Sequence, residues 1–315
     1  MVSGSKKKKA GAICEKPDPG WESERLIEAL SAKNCILRVA AAESLGSKGD
    51  KSAIKPLFEL LRDEDDSVRW RAAESLEVLL DGSNVDLIRS GMRDENGWVR
   101  FWSTYLAGTC ELAGDMVPEL IAALEDENQE VRAIAAQSLE FVGDDRAIEP
   151  LLDAMRDDWR GARISIFGAL RKLIAANGES VDLDIFLNRL DDEYPDVRFV
   201  SAFFLGELGD LRALEPLLEM MDNLEEDANV RQWAAFALSR MSDDRAFNRL
   251  MDAVSNERNL LVRRMALRSL GEMTIMHPTY LDQAEPMIRS VISEDDLILV
   301  GLAQDALLNI RKANE

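Results

Sequence analysis

Residues Asp126–Leu139 read DENQEVRAIAAQSL. An acidic residue opens a polar turn, Val131-Arg132 starts a helix, Ala135-Ala136 follow, and Leu139 closes an apolar stripe. The same string recurs along the chain. With the valine as position zero, its equivalents are Val68, Val99, Val131, Ala162, Val197, Val230 and Val262, at intervals of 31, 32, 31, 35, 33 and 32 residues. Self-similarity at such a period marks stacked supersecondary units, which outweighs the two-domain prior for a chain of this length. The uneven intervals mark a natural array.

Each period divides into two helices. Gly49-Asp50 breaks the chain and offers a helix N-cap; Ser52–Leu61 then forms helix A, Asp63–Ser67 a turn, and Val68–Leu80 helix B. Pro118, Pro150, Pro216 and Pro286 recur at the place of Pro56, in a first helical turn where a missing N–H costs least. In helix B, positions 0, +4 and +8 share one face with +1 and +5 beside it. Its alanines permit close approach between helices. One pair cannot bury this stripe alone, and stacked copies can. No stretch alternates as a strand, so the chain is read as all-α.

The most regular polar signal crosses the turn. An acid stands five residues before position zero at Asp63, Asp94, Asp126, Asp157, Asp192, Glu225 and Glu257. An arginine follows position zero at Arg69, Arg100, Arg132, Arg163, Arg198, Arg231 and Arg263. The arginine stem can lie on the core while its planar head bonds a carboxylate of its own turn or the next. The pairing is read as a ladder that fixes the register of the stack. It runs out at both ends: Ala32 fills the first acid slot and Val300 the last arginine slot. Terminal units of such a stack are expected to be atypical.

The strings DDRAIEPLLDAMRDD and DLRALEPLLEMMDN, followed by DxxxxVRxxAAxxL, resemble the short HEAT-like repeats of the phycocyanobilin (PBS) lyase type over about Trp21–Asn309. The resemblance implies an armadillo-type, right-handed α-α superhelix of about nine helix pairs, with B helices on the concave side. Residues 21–315 would form one solenoid, preceded by a disordered arm over residues 1–20. Deoxyhypusine hydroxylases are built on similar repeats and carry His-Glu pairs that hold a di-iron centre. Here His277 is the only histidine and proline follows it, so the sequence is read as lacking that activity.

Charge narrows the partners. The chain carries −21, and the arm, with Lys6, Lys7, Lys8, Lys9 and Lys16, offsets part of an even more acidic body. Such a surface repels phosphate backbones, which argues against nucleic acid and leaves basic proteins or peptides. Cys14, Cys35 and Cys110 are scattered without CxxC spacing, as in a reducing compartment. No apolar run is long enough to span a bilayer and no secretory leader is evident, so the expectation is a cytoplasmic protein. No nucleotide, hydrolase or zinc-protease motif occurs, and the DEDD turn at 63–66 lacks the glycine and glutamate of an EF-hand. No catalytic residue, metal or cofactor is assigned.

Positions +2, +3 and +6 of helix B vary most between units, and the resemblance places them on the concave side. They gather aromatics in two groups: Trp70, Phe101, Trp102 and Tyr105, then Phe199, Phe203, Trp233 and Phe236. Ala133, Ser165 and Gly168 leave a less bulky stretch between them. An aromatic groove with an acidic rim suits a partner helix or peptide with apolar anchors and basic flanks. The reading is a non-enzymatic interaction scaffold or adaptor. Its alternative is a phycobilin lyase-like subunit holding a linear tetrapyrrole on the same rings, with Cys110 nearby. The sequence leaves the oligomeric state open.

Overall fold

A computed structural model describes residues 21–109, 116–177 and 181–314. The arm of residues 1–20 and Cys110 lie outside the described residues. Two compact units emerge, one reaching to Ala147 together with Trp159–Ala169, the other Ile148–Asp158 with Leu170 onward.

In chain order the pairs begin with α1 (Ser23–Ala29) and α2 (Cys35–Lys48), then α3 (Ile54–Glu59) and α4 (Asp66–Leu79). Next come α5 (Val85–Gly91) and α6 (Gly97–Thr109), α7 (Val117–Ala122) and α8 (Gln129–Val142), and α9 (Ile148–Asp153) and α10 (Arg160–Asn177). The remaining pairs are α11 (Asp184–Leu187) with α12 (Pro195–Leu208), α13 (Leu214–Asp222) with α14 (Ala228–Ser239), α15 (Asp244–Asn256) with α16 (Leu260–Met276), and α17 (Leu281–Val291) with α18 (Leu297–Asn314). Odd-numbered helices are the A helices and even-numbered ones the B helices. Among the described residues there is no strand.

B helices pack in succession, α2–α4–α6–α8 in the first unit and α12–α14–α16–α18 in the second. Their contacts repeat a small device. Glycine nine residues after position zero lies against the serine or alanine at +7 of the following B helix: Gly46 on Ser75, Gly108 on Ser138, Gly206 on Ala237 and Gly271 on Ala306. Ser75 and Ser138 donate to the carbonyls of Ala42 and Thr104, at 2.9 and 3.0 Å. These close approaches let the stripe at 0, +4 and +8 interlock. In α8 that stripe is Val131, Ala135 and Leu139, all buried.

Helix boundaries follow cap chemistry more closely than the apolar pattern alone indicates. The B helix begins before position zero because an Asn or Asp at −3 caps it: Asn34, Asp65, Asn128, Asp227 and Asn259 accept from backbone N–H groups of the first turn. The A helix is shorter than the reading of Ser52–Leu61, since α3 is flanked by 3₁₀ turns at Lys51–Ala53 and Leu60–Arg62. Pro118 stands in a first helical turn as expected, but Pro286 lies inside α17, which starts five residues earlier. Gly49, Gly143 and Gly209 take φ of 69°, 76° and 68° at helix C-caps, where a side chain would be strained.

The acid–arginine ladder is present, with a direction. Arg38, Arg100, Arg198, Arg231 and Arg263 donate to carbonyls in or just before their own turn and reach forward to a carboxylate of the next one. Arg100 donates to the carbonyls of Asp94 and Glu95 and grips Asp126 with two bonds of 2.8 and 3.0 Å. Arg38, Arg231 and Arg263 reach Asp63, Glu257 and Glu294 in the same sense. Arg198 takes Glu226 rather than the expected Glu225. Arg69 breaks the rule: it pairs with Asp66 and lies over the Trp98 ring at 4.3 Å, and Arg62 takes Asp94 instead. Asp192 is likewise held by Arg156, from the end of an A helix.

Arg132 donates to the carbonyls of Asp126 and Glu127 at 2.9 and 3.4 Å. Arg132→Ala is expected to lower unfolding free energy by about 1–4 kcal/mol, because those turn carbonyls lose a charged donor. A chemical denaturation curve matching wild type would remove Arg132 from the ladder.

Candidate functional site

The B-helix positions that vary between repeats do carry grouped rings, one group in each compact unit. In the first, α4 and α6 set Trp70 and Trp102 edge to face at 5.6 Å. Phe101 and Tyr105 stand nearly perpendicular to the Trp102 ring, at 5.0 and 5.8 Å. Trp98, at −1 in the first turn of α6 and outside the positions singled out in the sequence, extends the group to Phe101 at 6.0 Å. The repeated pattern held no sign of it, and the Arg69 guanidinium lies 4.3 Å from its ring centre. Trp70 is 53% exposed, whereas Trp102 is only 8% exposed and forms the floor. The Trp102 indole N–H is buried without a hydrogen-bond partner. Tyr105 donates from its hydroxyl to Glu77 at 3.1 Å.

In the second unit, α12 and α14 bring Phe199, Phe203, Trp233 and Phe236 together. Phe203 stacks on Phe236 at 5.4 Å and meets Trp233 edge to face at 5.3 Å. Phe199 lies nearly parallel to Trp233 at 6.3 Å, and the Arg240 guanidinium sits 5.0 Å over Phe236. All four rings are half-buried. Their inner neighbours, Phe204 and Phe186, belong to the core. The less bulky stretch in the first unit is bridged by a hydrogen bond from Gln137 to Ser165, at 3.2 Å. Ile164 and Phe141 are exposed there, the latter at a position the sequence reading did not single out.

The repeated acids are engaged structurally. Asp63, Asp94, Asp126 and Asp192 each accept a backbone N–H two residues on, besides their arginines. Burial pushes the Asp192 carboxyl up, and the Arg156 bond and the Tyr194 N–H outweigh it, so the group stays below the ordinary carboxylate range. Tyr280, buried and bonded to Asp244, is pushed up to about 12. Among the described residues no three His, Cys, Asp or Glu side chains converge as a metal site. His277, the one histidine of the sequence, ends α16 with its ring 6.3 Å from that of Tyr280. The donor set does not fit a histidine–carboxylate iron centre. No described helix is long and apolar enough to cross a membrane.

Comparison with known proteins adds kinship. Deoxyhypusine hydroxylase of Phaeosphaeria nodorum is 24% identical over 76% of this chain and 75% of its own. The enzyme of the same name from Neurospora crassa is 23% identical over 78% of each chain. Importin beta has a similar fold, with a TM-score of 0.61 at 13% identity, over 92% of this chain and 46% of that one. These findings correct two expectations. The chain was read as a non-enzymatic scaffold, with a chromophore-binding subunit as the alternative, and its distance from the hydroxylases was judged from their missing His-Glu pairs. Relatives named as enzymes match three quarters of the chain and overturn that reading. It weighed metal ligands alone, and residues that merely stack repeats were credited with architecture and not with descent. The expected fold class stands, an all-α superhelix of stacked helix pairs. HEAT-repeat models match residues 23–107, 85–171 and 183–271, so the chain belongs to the HEAT-repeat family.

Proposed function

We propose that this chain is a protein of an enzyme lineage whose B-helix face takes a polypeptide bearing amine side chains. The observation that carries this reading is the make-up of the ring clusters: perpendicular indole and phenyl walls, partly open to solvent, with Glu77 held on Tyr105. Aromatic faces and nearby carboxylates together attract an ammonium group, and the acidic chain draws a basic segment from a distance. The hydroxylase relatives support catalytic work on what is bound. This chain's own described residues bind and orient; they do not supply the ligands of an iron centre. We further propose that the repeats are of the short phycocyanobilin-lyase type, that residues 21–315 form one array, and that the protein is cytoplasmic.

A fluorescent peptide with lysines around a leucine–phenylalanine core is expected to bind the full chain. Its lysine-to-glutamine counterpart is expected to bind about ten-fold more weakly. The Phe199→Ala/Phe203→Ala double variant is expected to weaken lysine-peptide binding by a similar factor while circular dichroism remains helical. Equal binding of both peptides, unchanged in the double variant, would sink the reading. The catalytic half is read separately, by mass spectrometry of the lysine peptide incubated with the chain. A changed peptide mass supports it, and an unchanged mass counts against it.

A further inference from the structure

Helix α18 carries an outward face unlike that of any other B helix. In inner units the positions +1 and +5 look toward the following pair and are covered: Arg231 and Ala235, for example, are buried. In α18 those positions hold Val300 and Gln304, and the ladder arginine is gone. Leu297 is 84% exposed and Leu308 is 49% exposed. Gly301, in the helix interior, has open space where a side chain would stand. An exposed mid-helix glycine costs roughly 0.5–1 kcal/mol relative to alanine, a cost that close approach by another backbone would explain.

Leu297, Gly301, Gln304 and Leu308 are spaced four, three and four residues apart, the spacing of a coiled-coil seam. That spacing is also symmetric about its centre. An antiparallel copy related by a two-fold axis sets Leu297 against Leu308 and Gly301 against Gln304, each contact made twice. The ends complement one another in charge. Arg311 and Lys312, exposed in the last turn of α18, fall opposite the turn of the other copy, where Asp295 is exposed. Glu294 and Asp296 in that turn are already held by Arg263 and Arg264.

We infer that α18 is a self-association surface, and that its occupant is the α18 of a second copy of this chain, packed antiparallel in an isologous dimer. The stripe bears no charge on a chain of net −21, so two copies meet there with less repulsion than over an acidic surface. This inference is independent of what the aromatic clusters bind.

Sedimentation velocity of the full chain across a concentration series tests it. The wild-type chain is expected to dimerise, and Leu297→Glu/Leu308→Glu to raise the dimer dissociation constant by about 100-fold or more. Both residues are exposed, so the variant's helical content and melting should stay close to wild type. Arg311→Asp is expected to weaken the dimer, and adding Asp295→Arg to restore it, because the swap re-forms both ion pairs across the axis. A wild-type chain that stays monomeric, or a dimer that the double glutamate variant leaves intact, overturns the inference.

Discussion

Arg231→Ala is expected to destabilise the fold by about 3–5 kcal/mol, close to a thousand-fold in the unfolding equilibrium. The Arg231 side chain is 4% exposed and its partner Glu257 is 7% exposed, at 2.5 Å. Arg231 also donates twice to the carbonyl of Met221, at 3.1 and 3.0 Å. Truncation therefore strands a buried carboxylate and weakens the capping of a buried carbonyl, a larger loss than the pair's net contribution. The effect has a pH signature. Burial pushes the Glu257 carboxyl up, but the Arg231 bond and the Asn259 N–H hold it below its ordinary value in the folded chain. A depressed folded pKa contributes stability that is full above the unfolded value, roughly 4.3, and is lost as pH falls through the folded value. Without Arg231 the burial of Glu257 loses its main opponent, so the stranded charge costs less once the carboxyl is protonated. Urea denaturation should show a wide gap between wild type and variant at pH 7 that narrows below about pH 4. A gap under about 1 kcal/mol at neutral pH would mean that water already reaches the pair.

Gly206→Val is expected to cost about 1–3 kcal/mol or more, although valine is the better hydrophobe. A Cβ at Gly206 would stand 2.5 Å from the Ala237 Cα and 2.8 Å from its Cβ, so backbone and not a flexible side-chain tip must move. Helices α12 and α14 would have to separate along their whole contact, loosening the interlocked stripe of both. Gly301→Ala is the control. It meets no atom within 4 Å and exchanges glycine for a better helix former, so its monomer should be unchanged or slightly more stable. Thermal melts of the two variants, in conditions where the chain is monomeric, separate close packing from helix propensity. Equal melting temperatures would show that the stack tolerates a wider spacing than the glycines imply.

Most of the fold was legible because a repeat states its rules several times. Val131, Ala135 and Leu139 announce a buried stripe, and their copies at fixed spacing announce the stacking. The acid and arginine positions were legible for the same reason, but the direction of their bonds was not. A carboxylate in one turn is equally near in sequence to arginines on either side, and only packing decides which one reaches it. Glu226 replaces Glu225 because a turn with altered spacing presents the next residue. The Asn or Asp cap at −3 and the glycine at +9 were overlooked, the first hidden among polar turn residues and the second occupied by glycine in only some units. At the candidate site, grouping of the rings was expected from their +2, +3 and +6 positions together with the family resemblance that set those positions on one side. How deep each ring sits was not, since Trp70 and Trp102 differ through the neighbours that cover them. Enzymatic kinship was not legible from ligand motifs, because the similarity to the hydroxylases spans a chain with a single histidine.

The forward sense of the arginine ladder bears on how such a chain can change length. Each unit typically offers an arginine to its successor and a carboxylate to its predecessor, so removal or duplication of one whole period leaves donors and acceptors matched at the new junction. A deletion that is not a multiple of the period instead leaves a guanidinium or a carboxylate buried with nothing opposite. Growth of the array by complete periods is thus the electrostatically permitted route, and the shared charge between neighbours keeps copies in phase while the residues on the B-helix face diverge.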